Sequence, residues 1–213
     1  MPPETLLIRA MAVLSRGGVI AHPTETLFGL AADPRSATAL QRLERIKGVG
    51  SRQGYILLVP GREGLAGLID PPGETASQLM DHFWPGPLTL VLPGGRHLPQ
   101  AVTGGSGFVA LRHSPSETVR ALMRHWQAPL LSTSANRHGR APLADAAEVQ
   151  AELGREVELI LPGKQTPGAR PSTLLKVVDN QAWLLRNGAL SATVIAKALP
   201  RLDLRDASGT PLR

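Results

Sequence analysis

The stretch Pro129–Pro142 reads PLLSTSANRHGRAP and joins the end of a buried strand to a polar turn. Its first residues are apolar, and they run directly into Ser132, Thr133, Ser134 and Asn136. Short hydroxyl and amide side chains at the end of an apolar strand need hydrogen-bond partners, either in the protein or in a bound molecule. The pattern therefore predicts a strand that ends at Ser134 and faces a ligand.

Strand patterns and amphipathic helix patterns alternate along the rest of the chain, with adjacent strands near its end. This order favours a mixed sheet over a purely parallel one. We predict an α/β fold in which residues 1–199 form one domain, with a twisted mixed parallel/antiparallel sheet, flanking helices and an open basic cleft. Residues 200–213 show weak periodicity, which predicts a loose C-terminal tail.

Local capping signals place the starts of two helices. Ser36 precedes an amphipathic run that ends at Gly48, and Ser114, Pro115 and Glu117 have the order of a cap, a first-turn proline and a capping-box glutamate. We therefore predict N-caps at Ser36 and Ser114.

Composition limits the classes of function. The 213 residues carry 23 basic and 17 acidic side chains, a net charge of +6, which favours anionic partners such as nucleotides, phosphates or RNA. The chain has no cysteine, so disulfides, thiolate nucleophiles and zinc–thiolate sites are excluded. No apolar run approaches the roughly 20 residues that span a bilayer, and the start lacks a signal-type core. We predict a cytoplasmic protein.

Several common catalytic motifs are missing. The glycine-rich stretch GVGSRQG, residues 48–54, follows a predicted helix, whereas dinucleotide fingerprints and P-loops follow a strand. No serine lies in a G-x-S-x-G elbow. His22 and Glu25 have no second histidine at metal-ligand spacing, so we predict no metal site in the protein.

Polar side chains instead lie at the ends of apolar segments. Such groups can converge, because ligands of open α/β sheets bind in the crevice beyond the strand ends. Arg112 and Arg186 each end a predicted strand, and two guanidiniums facing a crevice suit a carboxylate and a phosphate. The other members of this set are Thr24, Thr26, Lys47, Ser132 to Asn136, Ser172 and Thr173.

Seven ordered motifs between about Gly17 and Gly188 resemble the YrdC family, in its short, TsaC-like bacterial form. They are HPTETLFGLAADP, the lysine that ends the next helix, WPGPLTLVLP, FVALRHSP, PLLSTSAN followed by Gly139, PST and LLRNG. The family comprises threonylcarbamoyl-AMP synthases. These nucleotidyltransferases join L-threonine, bicarbonate and ATP, release pyrophosphate and supply a separate transferase complex that modifies tRNA.

The resemblance implies roles for eight residues. Thr26, Arg112, Ser132 and Ser172 would bind threonine, and Lys47, Ser134, Asn136 and Arg186 would bind ATP. Lys47, Ser134 and Asn136 would be the catalytic residues. We also expect Mg²⁺ to accompany the triphosphate.

The chain departs from the family pattern after its second helix. The family has a lysine, any residue and then an arginine there, but this chain has Val49 at the arginine position. Our hypothesis is that Arg52, in a loop rich in glycine, replaces the missing cation. In that case Arg52→Ala changes the Michaelis constant for ATP or the turnover.

Two other functions fit the sequence. One is a non-catalytic protein of the same fold that binds tRNA or structured RNA through its basic cleft, with the steep salt dependence of phosphate contacts. The other is an enzyme that carbamoylates an amino acid other than threonine. The many small hydroxyl and amide groups at strand ends favour a small ligand over RNA.

Overall fold

A computed structural model of the chain describes residues 2–48, 55–164 and 168–212. In this part of the chain, ten strands form one mixed sheet in the order β10-β9-β8-β4-β5-β3-β6-β2-β1-β7. The strands are β1 (Ile20–His22), β2 (Gly29–Ala32), β3 (Ile56–Leu58), β4 (Leu88–Pro93), β5 (Phe108–Arg112), β6 (Leu130–Ser134), β7 (Leu159–Ile160), β8 (Thr173–Val178), β9 (Gln181–Arg186) and β10 (Asp203–Asp206). The predicted α/β fold with a mixed sheet is confirmed.

Helices connect and cover the strands. They are α1 (Glu4–Ser15), α2 (Ala37–Lys47), α3 (Glu74–Phe83), α4 (Gln100–Thr103), α5 (Glu117–Trp126), α6 (Ala146–Leu153) and α7 (Ala192–Ala198), with a 3₁₀ turn at Arg62–Leu65. Among the described residues, none of these helices has the length and apolarity required to cross a membrane.

One face of the sheet forms the main hydrophobic core. A row of leucines crosses five strands in register, and every member is fully buried. Helices α2, α3, α6 and α7 pack residues into the same core. The row consists of Leu131, Leu57, Leu111, Leu90 and Leu175.

The opposite face is covered over only part of its width. Ile20, Ala31, Leu58 and Leu130 on this face pack in a second core cluster with residues of α1 and α5. Successive side chains of a strand point to opposite faces, so the next residues along the same face continue from this cluster into the uncovered part. The candidate functional site lies there.

The helix caps were predicted correctly at Ser36 and wrongly at Ser114. The Ser36 side chain accepts a hydrogen bond from the backbone N–H of Ala39. Helix α5 instead begins after Ser116, whose side chain makes no cap hydrogen bond. The Ser114 hydroxyl donates to the carboxylate of Glu25 and accepts a hydrogen bond from the backbone N–H of Ser116, which itself precedes the helix, so Ser114 lies outside the cap position.

The prediction of a loose tail after residue 199 was wrong. Residues 203–206 form strand β10, which pairs in parallel with β9. Leu204 is 1 % exposed and belongs to the main core, and the backbone N–H of Leu212 donates to the Leu204 carbonyl at 2.7 Å. The sheet ladder and the burial of one leucine hold this segment.

Candidate functional site

A cavity of about 690 Å³ lies over the uncovered face of the sheet. Its floor is apolar and is built by Ile56, Ala110 and Val91, which are cross-strand neighbours. Its walls carry all eight residues that the family resemblance implied: Thr26, Lys47, Arg112, Ser132, Ser134, Asn136, Ser172 and Arg186. The structure thus brings these eight together, while their individual roles stay predictions.

The sequence suggested a crevice beyond the strand ends. The cavity lies elsewhere. Strands β5 and β6 both pair with β3 but run in opposite directions, so their carboxyl ends lie at opposite edges of the sheet. Arg112 and Leu130 both pair with Leu58. Ser134 follows four residues later, which places it about 13 Å from Arg112 along the strand direction. The site is therefore a trough across one face, with polar groups at both ends.

Lys47 forms the centre of one end. It is the last residue of α2, is 7 % exposed, and donates to the carbonyl oxygen of Ser134 at 2.9 Å and to Oδ1 of Asn136 at 2.6 Å. The Ser134 hydroxyl donates to the same Oδ1 at 2.6 Å. The backbone N–H of His138 donates to the Lys47 carbonyl, which ties the turn after β6 to the end of α2.

The partners of Lys47 are neutral. Among the described residues no carboxylate pairs with its ammonium group, and none lines the cavity. Burial lowers the pKa of Lys47 from 10.5 to about 8. The ammonium is therefore still charged at neutral pH and is held in position by oxygen acceptors, which makes this end of the trough attractive to an anion.

Arg112 forms the other end and is paired with a carboxylate. Its Nη2 donates to Glu25 Oε1, and its Nε lies 3.4 Å from the Gly86 carbonyl oxygen. The Ser114 hydroxyl donates to Glu25 Oε2 at 2.5 Å. The Arg112 side chain is 6 % exposed and that of Glu25 is 23 % exposed. These contacts orient the guanidinium before any ligand binds.

Arg186 lies at the same end as Arg112. Its Nε and Nη2 donate to the carbonyl and hydroxyl oxygens of Ser172, at 3.0 and 3.2 Å. The Ser172 hydroxyl also contacts Oγ1 of the buried Thr89 at 2.8 Å. Partial burial, and after it the charge of Arg112, lowers the pKa of Arg186. Arg186, which the resemblance assigns to ATP, therefore contacts Ser172, which it assigns to threonine.

Thr26 presents a hydrogen-bond acceptor to the cavity. Oγ1 of Thr24 donates to the Leu27 carbonyl at 2.6 Å, so its single proton is used there. The Thr26 hydroxyl, 3.1 Å from the same Oγ1, must then donate to Thr24. Its lone pairs are left for a ligand.

A fully buried, neutral histidine lies next to Gly29, which lines the cavity beside Ser132. Burial lowers the pKa of His22 to about 4, and its Nε2 has no hydrogen-bond partner among the described residues. A Cβ placed on Gly29 would lie 3.1 Å from this Nε2 and 3.2 Å from the Ser132 hydroxyl. The absence of a side chain at position 29 leaves room between the imidazole and Ser132.

One predicted residue has no described position, and three contributing residues were missed. Arg52 and the substituted position Val49 lie outside the described residues. Glu25, Ser114 and Thr89 hold the predicted arginines and serines in place but were not assigned to the site. From the sequence, Glu25 was not predicted to contact any residue of the site. Its position between Thr24 and Thr26 was the one sequence signal that could have assigned Glu25 to the site.

The fold and cavity define a class of α/β protein with a trough across an open sheet face, lined by a lysine at one end and arginines at the other. The family model Sua5/YciO/YrdC, described as telomere recombination, matches residues 12–188. The chain belongs to this family.

Named relatives cover most of the chain. It is 40% identical over 170 residues to the threonylcarbamoyl-AMP synthase of Thiobacillus denitrificans, covering 80% of this chain and 90% of that protein. It is 37% identical over 176 residues to the protein of the same name from Halorhodospira halophila, covering 81% and 92%.

A solved structure has the same fold. The chain aligns with P. abyssi Sua5 complexed with L-threonine at a TM-score of 0.86 and 31% identity. The alignment covers 93% of this chain but 58% of the Sua5 chain, so this protein spans little more than half the length of that relative.

Proposed function

We propose that this protein is a threonylcarbamoyl-AMP synthase that uses L-threonine, bicarbonate and ATP and releases pyrophosphate. The observation that carries the proposal is the trough, which joins a lysine end and an arginine end within about 690 Å³. A volume in this range suits small-molecule ligands. The names of two relatives at 40% and 37% identity support the same reaction.

The arginine end is proposed to bind threonine. Arg112 supplies a charged donor for the substrate carboxylate, and Ser172, held by Arg186 and Thr89, supplies a hydroxyl. Thr26 offers its acceptor lone pairs to the substrate hydroxyl. A site that hydrogen-bonds a substrate hydroxyl discriminates strongly against analogues that lack it, because its polar groups are then left unpaired.

The lysine end is proposed to bind the phosphates of ATP. The substrate amine, after losing the proton of its ammonium form, attacks the carbon of bicarbonate with loss of water, or attacks carbon dioxide formed from bicarbonate with loss of water and gives up an N–H proton; either route gives a carbamate. A carbamate oxygen then attacks the α-phosphorus as pyrophosphate leaves. Negative charge grows in both steps. Lys47, with Ser134 and Asn136 orienting it, is placed to stabilise that charge, so positioning and electrostatics supply the catalysis.

Mg²⁺ is expected to enter with ATP. The described residues contain no group of three or more acidic or histidine side chains that would hold a metal ion. We therefore assign it no protein ligands. Bound to the triphosphate, Mg²⁺ would neutralise part of its charge.

The cellular context also remains a proposal. A cytoplasmic location, hand-over of the product to a threonylcarbamoyl transferase complex, and tRNA binding along the basic cleft are consistent with the reaction and with the net charge of +6. Contact with RNA phosphates would weaken steeply with salt.

Pyrophosphate release tests the proposal directly. Purified protein is incubated with ATP, bicarbonate and each amino acid in turn. We expect release that requires threonine and bicarbonate together. Release with another amino acid would reassign the substrate, and no release combined with salt-sensitive tRNA binding would favour the non-catalytic RNA-binding function. In an active enzyme, Arg52→Ala then tests whether Arg52 replaces the cation missing at Val49.

A further inference from the structure

Glu25 and Arg112 form an ion pair at the margin of the cavity. Arg112 lines the cavity, as do Thr24 and Thr26, the two chain neighbours of Glu25. The carboxylate also accepts the Ser114 hydroxyl. A side-chain exposure of 23 % leaves Glu25 partly open to solvent, whereas Arg112 is almost enclosed. The arginine that is proposed to bind a substrate carboxylate is thus already paired with a carboxylate of the protein.

Arg112 retains donors for a second anion. Nη2 donates to Glu25 and Nε to Gly86, whereas Nη1 makes no hydrogen bond to the described residues. A substrate carboxylate on Nη1 would share one guanidinium with Glu25. Two carboxylates would then compete for this one guanidinium in a largely buried place, which is costly. Arg186, the other guanidinium at this end, donates to the carbonyl and hydroxyl oxygens of Ser172 and not to Glu25.

An α-ammonium group removes this imbalance. With a zwitterionic amino acid bound, Arg112, Glu25, the substrate carboxylate and the substrate ammonium sum to zero charge. The ammonium is attached to the carbon next to the carboxylate, so it lies within a few ångströms of whatever carboxylate shares the same guanidinium. An α-hydroxy acid with the same side chain has the carboxylate but no compensating cation.

We propose that Glu25 binds the α-ammonium of the substrate and restricts this end of the cavity to zwitterionic α-amino acids. The inference rests on the proposed function, since it assigns the amino acid to the Arg112 end. In the free protein, Arg112 and Glu25 neutralise each other. In the complex, the substrate carboxylate pairs with Arg112 and the substrate ammonium pairs with Glu25, so the four charges still sum to zero.

The test compares two ligands that differ in one group. L-threonine and (2S,3R)-2,3-dihydroxybutanoate share the carboxylate and the side-chain hydroxyl, and only threonine has the ammonium. Calorimetry measures the affinity of each for the wild-type protein and for Glu25→Gln, which keeps the shape and removes the charge. Wild type is expected to prefer threonine by about 30-fold, in line with hydrogen bonds to charged groups. In Glu25→Gln the preference is expected to fall below about threefold.

The ratio of the two affinities, threonine over the hydroxy acid, distinguishes recognition of the ammonium by Glu25 from a role limited to holding Arg112. If Glu25 serves only to hold Arg112, Glu25→Gln weakens both ligands equally and the preference stays at the wild-type value, which would overturn the proposal. Ser114→Ala is the matched control, because it removes a neighbour of Glu25 but keeps the charge, and it should retain the preference.

Two further measurements keep the outcome decisive. If Glu25→Gln does not fold, judged by thermal melting, Glu25→Asp retains the charge but withdraws it by one methylene, and threonine should then lose more affinity than the hydroxy acid. An equal loss for both ligands again refutes the assignment. Failure of the proposed function is distinguishable: wild type would then bind no threonine and release no pyrophosphate with it.

Discussion

The Lys47 ammonium donates to Asn136 Oδ1 at 2.6 Å, although 89 positions separate the two residues in the chain. The contact joins the last residue of α2 to the turn after β6. Because the acceptor is a neutral amide, it orients the cation without cancelling its charge. Several predictions about anion binding depend on this neutrality.

Asn136→Asp is expected to weaken ATP binding. A carboxylate in place of the amide would neutralise Lys47 and add negative charge where the phosphates are proposed to bind. The KM for ATP should rise at least about tenfold and that for threonine less than about threefold, measured by pyrophosphate release. Asn180→Asp places the same charge on an exposed turn and serves as the control. An unchanged KM for ATP would show that Lys47 does not bind the phosphates.

The use of ATP should decline in alkaline solution. The pKa of Lys47 is lowered to about 8, so its charge is present below that pH and lost as the pH rises through it. We expect kcat/KM for ATP, which reports the free enzyme, to fall above pH about 8. In Lys47→Arg the fall should move upward, because arginine stays protonated throughout this range. Coincident wild-type and variant profiles would contradict the assignment.

His22 should make the protein sensitive to acid. Its pKa is about 4 in the folded protein against 6.5 in the unfolded chain, so the unfolded state binds the extra proton as the pH falls between these values. Wild type should lose about 3 kcal/mol of unfolding free energy from this group between pH 6.5 and 4. Denaturant titration should show that His22→Asn lacks this loss, whereas replacement of the exposed His82 retains it.

Gly188→Ala is expected to damage both stability and activity. A Cβ at this position would lie 2.2 Å from the Pro171 carbonyl oxygen and 2.4 Å from the Ser172 carbonyl carbon, so the backbone would have to move. We expect a loss of about 1–3 kcal/mol in the free energy of unfolding. Activity should also fall, because Ser172 positions Arg186. Gly73→Ala, where the nearest atom would be 3.4 Å away, is the control, and equal effects of the two variants would disprove the argument.

Leu204→Ala tests whether the C-terminal strand belongs to the domain. Leu204 is 1 % exposed, and its truncation should cost about 2–4 kcal/mol of unfolding free energy. The exposed Arg201→Ala should change it by less than about 0.5 kcal/mol. A small effect at Leu204 would restore the idea of a loose tail.

Two strands escaped sequence prediction because their composition is poor for strands. Strand β2 reads GLAA, and glycine and alanine have low strand propensity, but β1 and β6 pair with it on both sides. Strand β10 reads DLRD, with Leu204 as its single apolar residue. It forms because β9 offers an open edge and the core accepts that leucine.

The sequence by itself determined the α/β class, the family and eight of the residues that line the cavity. These follow from local information: hydrophobic periodicity, the cap at Ser36, and short motifs whose residues are neighbours in the chain. The tertiary structure alone decided that the cavity lies across a sheet face and that Glu25 pairs with Arg112. Strand direction, register and contacts between residues far apart in the chain depend on how the strands assemble, and no local pattern encodes that assembly.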